Sequence, residues 1–193
     1  MTTVYFIRHC ESDYTVRDAR SRPLTPKGEA DRVLVTEFLS DKKIDAVYSS
    51  PYARAIRTVS DFAERRGFEI NIIEDFKERV SAGEREWLTD AEFAGFMKKQ
   101  WDDFAYTLNN GECLADVQKR NIAALNEILS KNENKNVAVG THGTALSVII
   151  NHYDASYGFA DFMAMVNIMP WAVKMSFDGL ICKNIEKINL FAL

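Results

Sequence analysis

Four side chains suited to binding phosphate lie at three separate places in the 193-residue sequence. Arg8 and His9 directly follow an apolar, strand-like run. Arg54 lies in the first turn after a helix start at Pro51, and His142 lies in a turn between two glycines. Each alone has a simpler interpretation, as a solvated arginine or a structural histidine. Together they indicate a phosphoryl ligand, because guanidinium groups match its oxygens and a helix start favours an anion.

Strands alternate with helices along the sequence, and this alternation predicts where those residues meet. The predicted strands are 3–7, 44–48, 68–73, 137–140, 171–177 and 180–188, and the predicted helices are 26–40, 51 through 62 toward 67, 114–129 and 144–152. The pattern predicts an α/β fold, a three-layer α/β/α sandwich with a mainly parallel central sheet. Ligands of such sheets bind beyond the carboxyl ends of the strands. His9 and His142 both follow such ends, so we expect them at one edge.

One domain is expected to span residues 1–193, because this length suits a single core and no linker or repeat interrupts it. Residues 79–112 lose clear periodicity and are predicted to form a cap or insertion over the site. The aromatic residues of this segment are Trp87, Phe93, Phe96, Trp101, Phe104 and Tyr106. Such residues more often belong to a core, but their apolar character also suits a bulky organic group on a substrate.

Composition argues against several classes of protein. Lys plus Arg total 24 against 28 for Asp plus Glu, and a formal charge of -4 argues against a nucleic-acid partner. The first residues carry no basic leader and only a short apolar run, so we expect no membrane association and a cytoplasmic location. The three cysteines are widely spaced, which predicts neither a disulfide framework nor a zinc site. The sequence leaves the oligomeric state open.

Five short motifs follow one another along residues 4 to about 150. They are Arg8-His9, segment 23–28, segment 49–58, Gly111-Glu112-Cys113 and Thr141-His142-Gly143. In this order and at these distances the motifs resemble the histidine phosphatase superfamily, the phosphoglycerate mutase-like proteins. Two positions depart from the family's pattern. Cys10 replaces a glycine and Cys113 replaces a serine, and both replacements keep the side chain small.

The resemblance implies that His9 is a catalytic nucleophile that becomes phosphohistidine. It also implies that Arg8, Arg54 and His142 hold the phosphoryl oxygens, with His142 counted as catalytic. Covalent catalysis of this kind divides one difficult displacement into two easier ones. Neighbouring positive charge keeps the attacking imidazole neutral, and fixed arginines can stabilise the developing charge. We therefore expect no metal and no cofactor.

A leaving alkoxide also needs a proton, which calls for a carboxylic acid beside the pocket. The family's acid lies just after the third strand, and Glu78 is the best match. The following Gly83-Glu84-Arg85-Glu86 stretch is one residue out of the usual register. Glu84 therefore stays a rival for the role of proton donor.

The sequence thus predicts a metal-independent phosphatase that hydrolyses small-molecule phosphate monoesters. A phosphoglycerate mutase-type transfer is one alternative, although the family's glycolytic mutases are usually longer around the site. A catalytically quiet phosphate-binding module is another, motivated by the altered register near Glu78 and by the two cysteine replacements. The physiological substrate is not determined by the sequence.

Two further candidates are given weaker roles. His9-Cys10 with Arg17 resembles the His-Cys-x5-Arg signature of cysteine-dependent phosphatases. Six residues separate Cys10 from Arg17, however, and this loop lacks the glycine that lets main-chain amides wrap a phosphate. His152 lies in an apolar helix and is interpreted as a structural histidine.

Overall fold

A six-stranded sheet forms the centre of the molecule in the computed structural model, which describes residues 1–80, 89–108 and 110–192. The strands are β1 (Thr2–Arg8), β2 (Ala46–Ser49), β3 (Ile70–Ile72), β4 (Asn136–Thr141), β5 (Trp171–Asp178) and β6 (Ile181–Ile188). Their order is β3-β2-β4-β1-β5-β6. The first four strands of this order are parallel, while β5 runs antiparallel to both β1 and β6. The predicted α/β fold with a mainly parallel sheet is confirmed.

Helices fill the connections between these strands. Those in the described residues are α1 (Pro26–Ser40), α2 (Ala53–Arg66), α3 (Asp90–Asp102), α4 (Leu114–Lys131), α5 (Gly143–Tyr153) and α6 (Phe159–Met165). The predicted start of α1 is present, because the Thr25 hydroxyl accepts a hydrogen bond from Gly28 N at 3.0 Å. Helix α2 ends at Gly67, whose φ of 70° is a left-handed conformation that glycine adopts at little cost.

Apolar side chains cover both faces of the sheet. Along β1, Val4 and Phe6 belong to the cluster that includes residues of α4 and α5, whereas Tyr5 and Ile7 belong to the cluster with residues of α1 and α2. Successive residues of a strand point to opposite faces, so this division places one helical layer on each side. The three-layer sandwich that the alternation predicts is therefore present.

Helix α3 lies within residues 79–112, the segment whose sequence lacks clear periodicity. Its inward positions do follow helical spacing, with Phe93, Phe96, Met97 and Trp101 in contact with the core. A polar residue interrupts that stripe, because Gln100 is fully buried and donates hydrogen bonds to the carbonyls of Tyr106 and Glu112. Because this buried residue is polar, it interrupts the apolar spacing that would indicate the helix in the sequence.

Two other elements differ from the predicted ones. Helix α6 was not predicted, because its seven residues bury only Phe162 and Met165 and give too little periodicity. Strand β3 has three residues instead of the predicted six, and a 3-10 turn at Glu74–Phe76 follows it. Trp87, which the sequence analysis assigns to the cap, lies outside the described residues. Within the described ranges, no helix combines the length and apolar character needed to cross a membrane.

Candidate active site

Three neighbouring strands end side by side and carry the predicted residues to one edge of the sheet. Arg8 is paired with Thr141 in the register of β1 and β4, and His9 N donates to Thr141 O at 3.0 Å. On the other side of β4, Ser50 N donates to Gly140 O at 2.9 Å. The main chain therefore brings together residues that follow β1, β2 and β4, as the parallel alternation predicts.

The hydrogen bonds of His9 determine which of its nitrogens carries the proton. Nδ1 lies 2.6 Å from the carbonyl of Cys10, which can only accept, so Nδ1 is the protonated nitrogen. Nε2 accepts a hydrogen bond from Arg54 Nε at 3.1 Å, so it holds a lone pair. Burial lowers the pKa of His9 well below its ordinary value, and the charges of Arg54 and Arg8 lower it further. His9 is therefore neutral, with Nε2 directed at Arg54.

His142 packs against His9 and is held by a serine that directly follows β2. The two imidazole rings are 5.3 Å apart, and His142 is fully buried. Its Nε2 lies 2.7 Å from Ser50 Oγ, which also accepts a hydrogen bond from Tyr52 N at 3.2 Å. Donation of the Ser50 hydroxyl hydrogen to Nε2 would place the proton of His142 on Nδ1. That Nδ1 is buried without a hydrogen-bond partner among the described residues. Burial, then Arg54 and His9, lower the pKa of His142 well below its ordinary value.

Arg8 is held by the connection after α6. Its Nη1 donates to Met165 O at 2.7 Å and to Ile168 O at 3.1 Å, and its Nη2 donates to Val166 O at 2.9 Å. Nε is buried and lacks a partner within the described part of the chain. A Cβ at Gly143 would lie 3.2 Å from this nitrogen, so glycine allows the guanidinium group to approach the turn. The terminal nitrogens of Arg8 are therefore committed to the main chain.

Arg54 links the nucleophile candidate to the loop that follows it. Besides its bond to His9, Arg54 donates from Nη1 to Ala19 O at 2.6 Å, and its guanidinium group lies 4.9 Å from the ring centre of Tyr52. Burial lowers the pKa of Arg54, and the carboxylate of Glu78 opposes that shift. The same holds for Arg8, where Tyr14 and Glu78 oppose the effect of burial. Glu78 is therefore close enough to both arginines for their charges to interact.

Glu78 lies at the start of α5. Its Oε2 accepts a hydrogen bond from Thr144 N at 3.0 Å, and its Oε1 accepts from Ala145 N at 3.1 Å and from Arg79 N at 2.8 Å. The Thr144 and Ala145 N–H groups lie in the first turn of α5, where main-chain donors have no partner within the helix. The rival Glu84 and the rest of its Gly83-Glu84-Arg85-Glu86 stretch lie outside the described residues.

A cavity of about 230 Å³ is lined by both Arg8 and Glu78. Arg8, Glu78 and Tyr14 supply polar lining, and the apolar lining includes Phe93 of α3 and Phe162 of α6. Phe93 belongs to the segment for which the sequence predicts a cap, and it lines this cavity. This cavity is large enough for a small organic group beside the arginine and the carboxylate.

Arg120, which no sequence motif indicates, connects α4 to the segment that carries Glu78. Its guanidinium group forms a two-pronged ion pair with Glu112, with Nε to Oε1 and Nη2 to Oε2 both at 2.9 Å. It also donates to the main-chain carbonyl of Glu78 at 3.2 Å. Glu112 belongs to a motif the sequence analysis recognised. A basic residue eight positions later, two turns along the predicted helix, was the signal available for its partner.

The remaining candidates lie in less reactive surroundings. Burial raises the pKa of the Cys10 thiol to about 12, so it is not a thiolate at neutral pH. Cys113 precedes α4 without a capping hydrogen bond from its side chain. His152 is exposed and packs against Tyr153. In the ranges that the structure describes, no group of three or more His, Cys, Asp or Glu residues could hold a metal ion.

Comparison with known proteins agrees with this architecture. The model of the histidine phosphatase superfamily (branch 1) matches residues 4–165. The uncharacterized phosphatase PhoE of Bacillus subtilis is 29% identical over 154 residues, 78% of this chain and 76% of the relative. Phosphoserine phosphatase 1 of Hydrogenobacter thermophilus is 23% identical over 162 residues, 74% of this chain and 71% of the relative.

Among solved structures, Bacillus stearothermophilus YhfR superimposes with a TM-score of 0.76 and 25% sequence identity, and the match covers 95% of both chains. The family model spans most of the sequence and includes the strands and turns that carry His9, Arg54 and His142. The chain therefore belongs to branch 1 of the histidine phosphatase superfamily.

Proposed function

We propose that this chain is a cytoplasmic, metal-independent phosphatase that hydrolyses small-molecule phosphate monoesters through a phosphohistidine at His9. The observation that carries the proposal is the state of that imidazole. Nδ1–H is bound to the Cys10 carbonyl, and Nε2 keeps a lone pair beside Arg54. A neutral histidine nitrogen next to a buried cation is what attack on a phosphoryl group requires.

In the first step, Nε2 of His9 attacks phosphorus and the ester P–O bond breaks. The hydrogen bond from Arg54 Nε to Nε2 passes to a phosphoryl oxygen as the new P–N bond forms. Two further donors support the placement of that group, because Arg8 Nε and His142 Nδ1 are buried without partners in the described residues. Buried polar atoms are rarely left unpaired, and phosphoryl oxygens would satisfy both.

Glu78 completes the proton balance of both steps. Its Oε2 accepts a single hydrogen bond and is the oxygen that can carry the proton given to the leaving alkoxide. In the second step water attacks phosphorus, the P–N bond breaks, and the carboxylate takes a proton from that water. Phosphate then leaves, and both His9 and Glu78 return to their starting states.

Trapping the phosphoenzyme tests the proposal directly. The protein is mixed with p-nitrophenyl phosphate labelled in its phosphoryl group, and the reaction is quenched with alkali. The label should remain on the protein, because phosphohistidine survives alkali and is lost in acid. His9→Ala should carry no label and lose at least ~10⁴-fold in turnover, as expected when a covalent nucleophile is removed. Turnover by His9→Ala, or label stable to acid, would contradict the mechanism.

Hydrolysis is preferred over the alternatives of a mutase or a quiet binding module. The named relatives are phosphatases, one of them a phosphoserine phosphatase. The hydrogen bond from Arg54 to His9 and the interaction of Glu78 with both Arg8 and Arg54 support turnover over binding alone. Isomerisation of a phosphoglycerate would support the mutase. Tight binding of phosphate esters with no release of phosphate would support the binding module.

A further inference from the structure

All five N–H groups of the Arg120 guanidinium have hydrogen-bond partners. Two go to the Glu112 carboxylate at 2.9 Å each. The other three go to main-chain carbonyls, those of Asp75 at 2.6 Å, Lys77 at 2.8 Å and Glu78 at 3.2 Å. An arginine has five donors in a planar, rigid arrangement, so this side chain has no freedom left to choose other partners. Arg120 therefore fixes three main-chain carbonyls at and just before Glu78.

Glu112 holds the same segment from its other end. Its main-chain N donates to Val80 O at 2.9 Å, and its Oε2 accepts a hydrogen bond from Val80 N at 2.7 Å. Partial burial opposes ionisation of Glu112, but Arg120 and the Val80 N–H together hold its pKa below the ordinary value. The ion pair is mostly shielded, with 13% of the Arg120 side chain and 21% of the Glu112 side chain exposed. The Arg120–Glu112 pair therefore binds the main chain on both sides of Glu78.

The segment held in this way has little regular structure of its own. Residues 77–80 follow the 3-10 turn at Glu74–Phe76 and belong to neither a helix nor a strand. The direction of Glu78 is thus not set by strand register, unlike that of His9. Its main chain is bound by Arg120, and its carboxylate is bound by the start of α5.

We propose that Arg120, locked by Glu112, is a positioning residue for Glu78. The role assigned to Glu78 rests on the function proposed above. Arg120 does not touch the substrate in this proposal. It holds the carbonyls on either side of the acid, so that the carboxyl group reaches the leaving oxygen. A displacement of about 1 Å in a catalytic group can lower the rate ~10²-fold. Loss of the Arg120–Glu112 pair should therefore slow proton transfer from Glu78 more than it weakens phosphate binding.

The test uses phenyl phosphates whose leaving phenols differ in acidity. Nitrophenolate is a good leaving group that departs without being protonated. Unsubstituted phenolate is a poorer leaving group, so its departure depends more strongly on a proton from an acid. Glu78→Gln should therefore lose ~10²-fold or more on phenyl phosphate and much less on p-nitrophenyl phosphate. Arg120→Gln should show the same selective loss, at ~10-fold to 100-fold on phenyl phosphate. Adding Arg120→Gln to Glu78→Gln should then cause little further loss.

A second variant and a matched control separate positioning from a general loss of stability. Glu112→Gln keeps Arg120 but removes the ion pair that holds it. This variant should show the same selective loss of rate on phenyl phosphate, to a smaller extent. Arg32 is another buried arginine, bonded to Glu29 at 3.0 Å and to Ser60 at 2.9 Å on the α1 and α2 side. Arg32→Gln should lower the melting temperature without changing the dependence on the leaving group.

Two outcomes would overturn the proposal, and they are distinguishable. In the first, Glu78→Gln loses rate selectively on phenyl phosphate, but Arg120→Gln and Glu112→Gln lower the rates on both substrates equally. The Arg120–Glu112 pair is then only structural, and the proposed function stands. If Glu78→Gln itself shows no selectivity, the assignment of the acid fails and the proposal for Arg120 fails with it. A failure of Arg120→Gln to fold leaves Glu112→Gln as the deciding variant.

Discussion

The two sides of the candidate site differ in what holds their side chains. On the side that we propose to bind phosphate, the phosphate side, His9 and His142 directly follow the paired strands β1 and β4, and the sheet register sets their main chain. On the side that we propose to contact the leaving group, Glu78 lies on irregular chain that is bound by the Arg120–Glu112 pair. The first arrangement is rigid because of the sheet, while the second depends on a few side-chain bonds. Substitutions should therefore affect the two sides differently.

The largest effect that separates the two sides is expected from Arg54→Gln. Losing the cation that we propose to stabilise the phosphoryl group should lower kcat/KM by ~10²-fold to 10³-fold for good and poor leaving groups alike. Because the Arg54 charge lowers the pKa of His9, this variant should also raise that pKa and move the acid limb of the rate to higher pH. Steady-state rates between pH 5 and 8 measure both effects.

Arg57→Gln is the matched control for that experiment. Arg57 lies one turn further along α2 and pairs with Glu29 at 3.0 Å, half-exposed at the surface. Its loss should leave the rate and the pH profile nearly unchanged. A loss in Arg54→Gln confined to poor leaving groups would mean that this arginine acts with Glu78 and not on the phosphoryl group.

The same difference explains how far the sequence could predict the site. His9, Arg54 and His142 follow strand ends or a helix start, and such boundaries are visible in local sequence. Arg120 was missed because its function depends on three carbonyls from a segment more than forty positions away. Helix α3 was missed because the buried Gln100 breaks its apolar stripe. Main-chain geometry can be read from local patterns, whereas side-chain bonds to irregular chain cannot.

Burial of the phosphate side should also appear in the pH dependence of stability. His9 has a folded-state pKa well below the unfolded value of about 6.5. Below pH 6.5 the unfolded chain takes up a proton that the folded protein does not, so stability is lost as pH falls and regained as it rises. Each such histidine adds about 1.4 kcal/mol per pH unit to that slope. Urea unfolding between pH 7.5 and 5 measures it.

His9→Asn should reduce the slope by one histidine's share, about 1.4 kcal/mol per pH unit. The same substitution at the exposed His152, outside the site, is the matched control, and the difference between the slopes of the two variants gives the share of His9. An identical slope in His9→Asn would mean that His9 takes up protons equally in the folded and unfolded states. The conclusion that burial on the phosphate side lowers the pKa of His9 would then be wrong.

A smaller effect is expected on the apolar wall of the cavity. Phe93→Ala removes an aromatic ring that lines it, and the KM for p-nitrophenyl phosphate should rise about tenfold. Inhibition by inorganic phosphate should not change, because phosphate has no organic group to contact this wall. Phe104→Ala is the control, since Phe104 packs against Trp101 with ring centres 5.5 Å apart. Weaker phosphate inhibition in Phe93→Ala would show that the two sides are not independent.

The smallest effect is expected at Cys10, although it directly follows His9, the proposed nucleophile, in sequence. Its thiol is fully buried, and burial raises its pKa to about 12, so almost no thiolate exists at neutral pH. Cys10→Ala should therefore keep kcat/KM within ~threefold of the wild type, because a neutral buried thiol only fills space. A thiol reagent should label Cys113 and Cys182, which are half-buried, without loss of activity. Inactivation as deep as that of His9→Ala would instead make Cys10 the nucleophile, and the sheet edge would then serve a cysteine-dependent reaction.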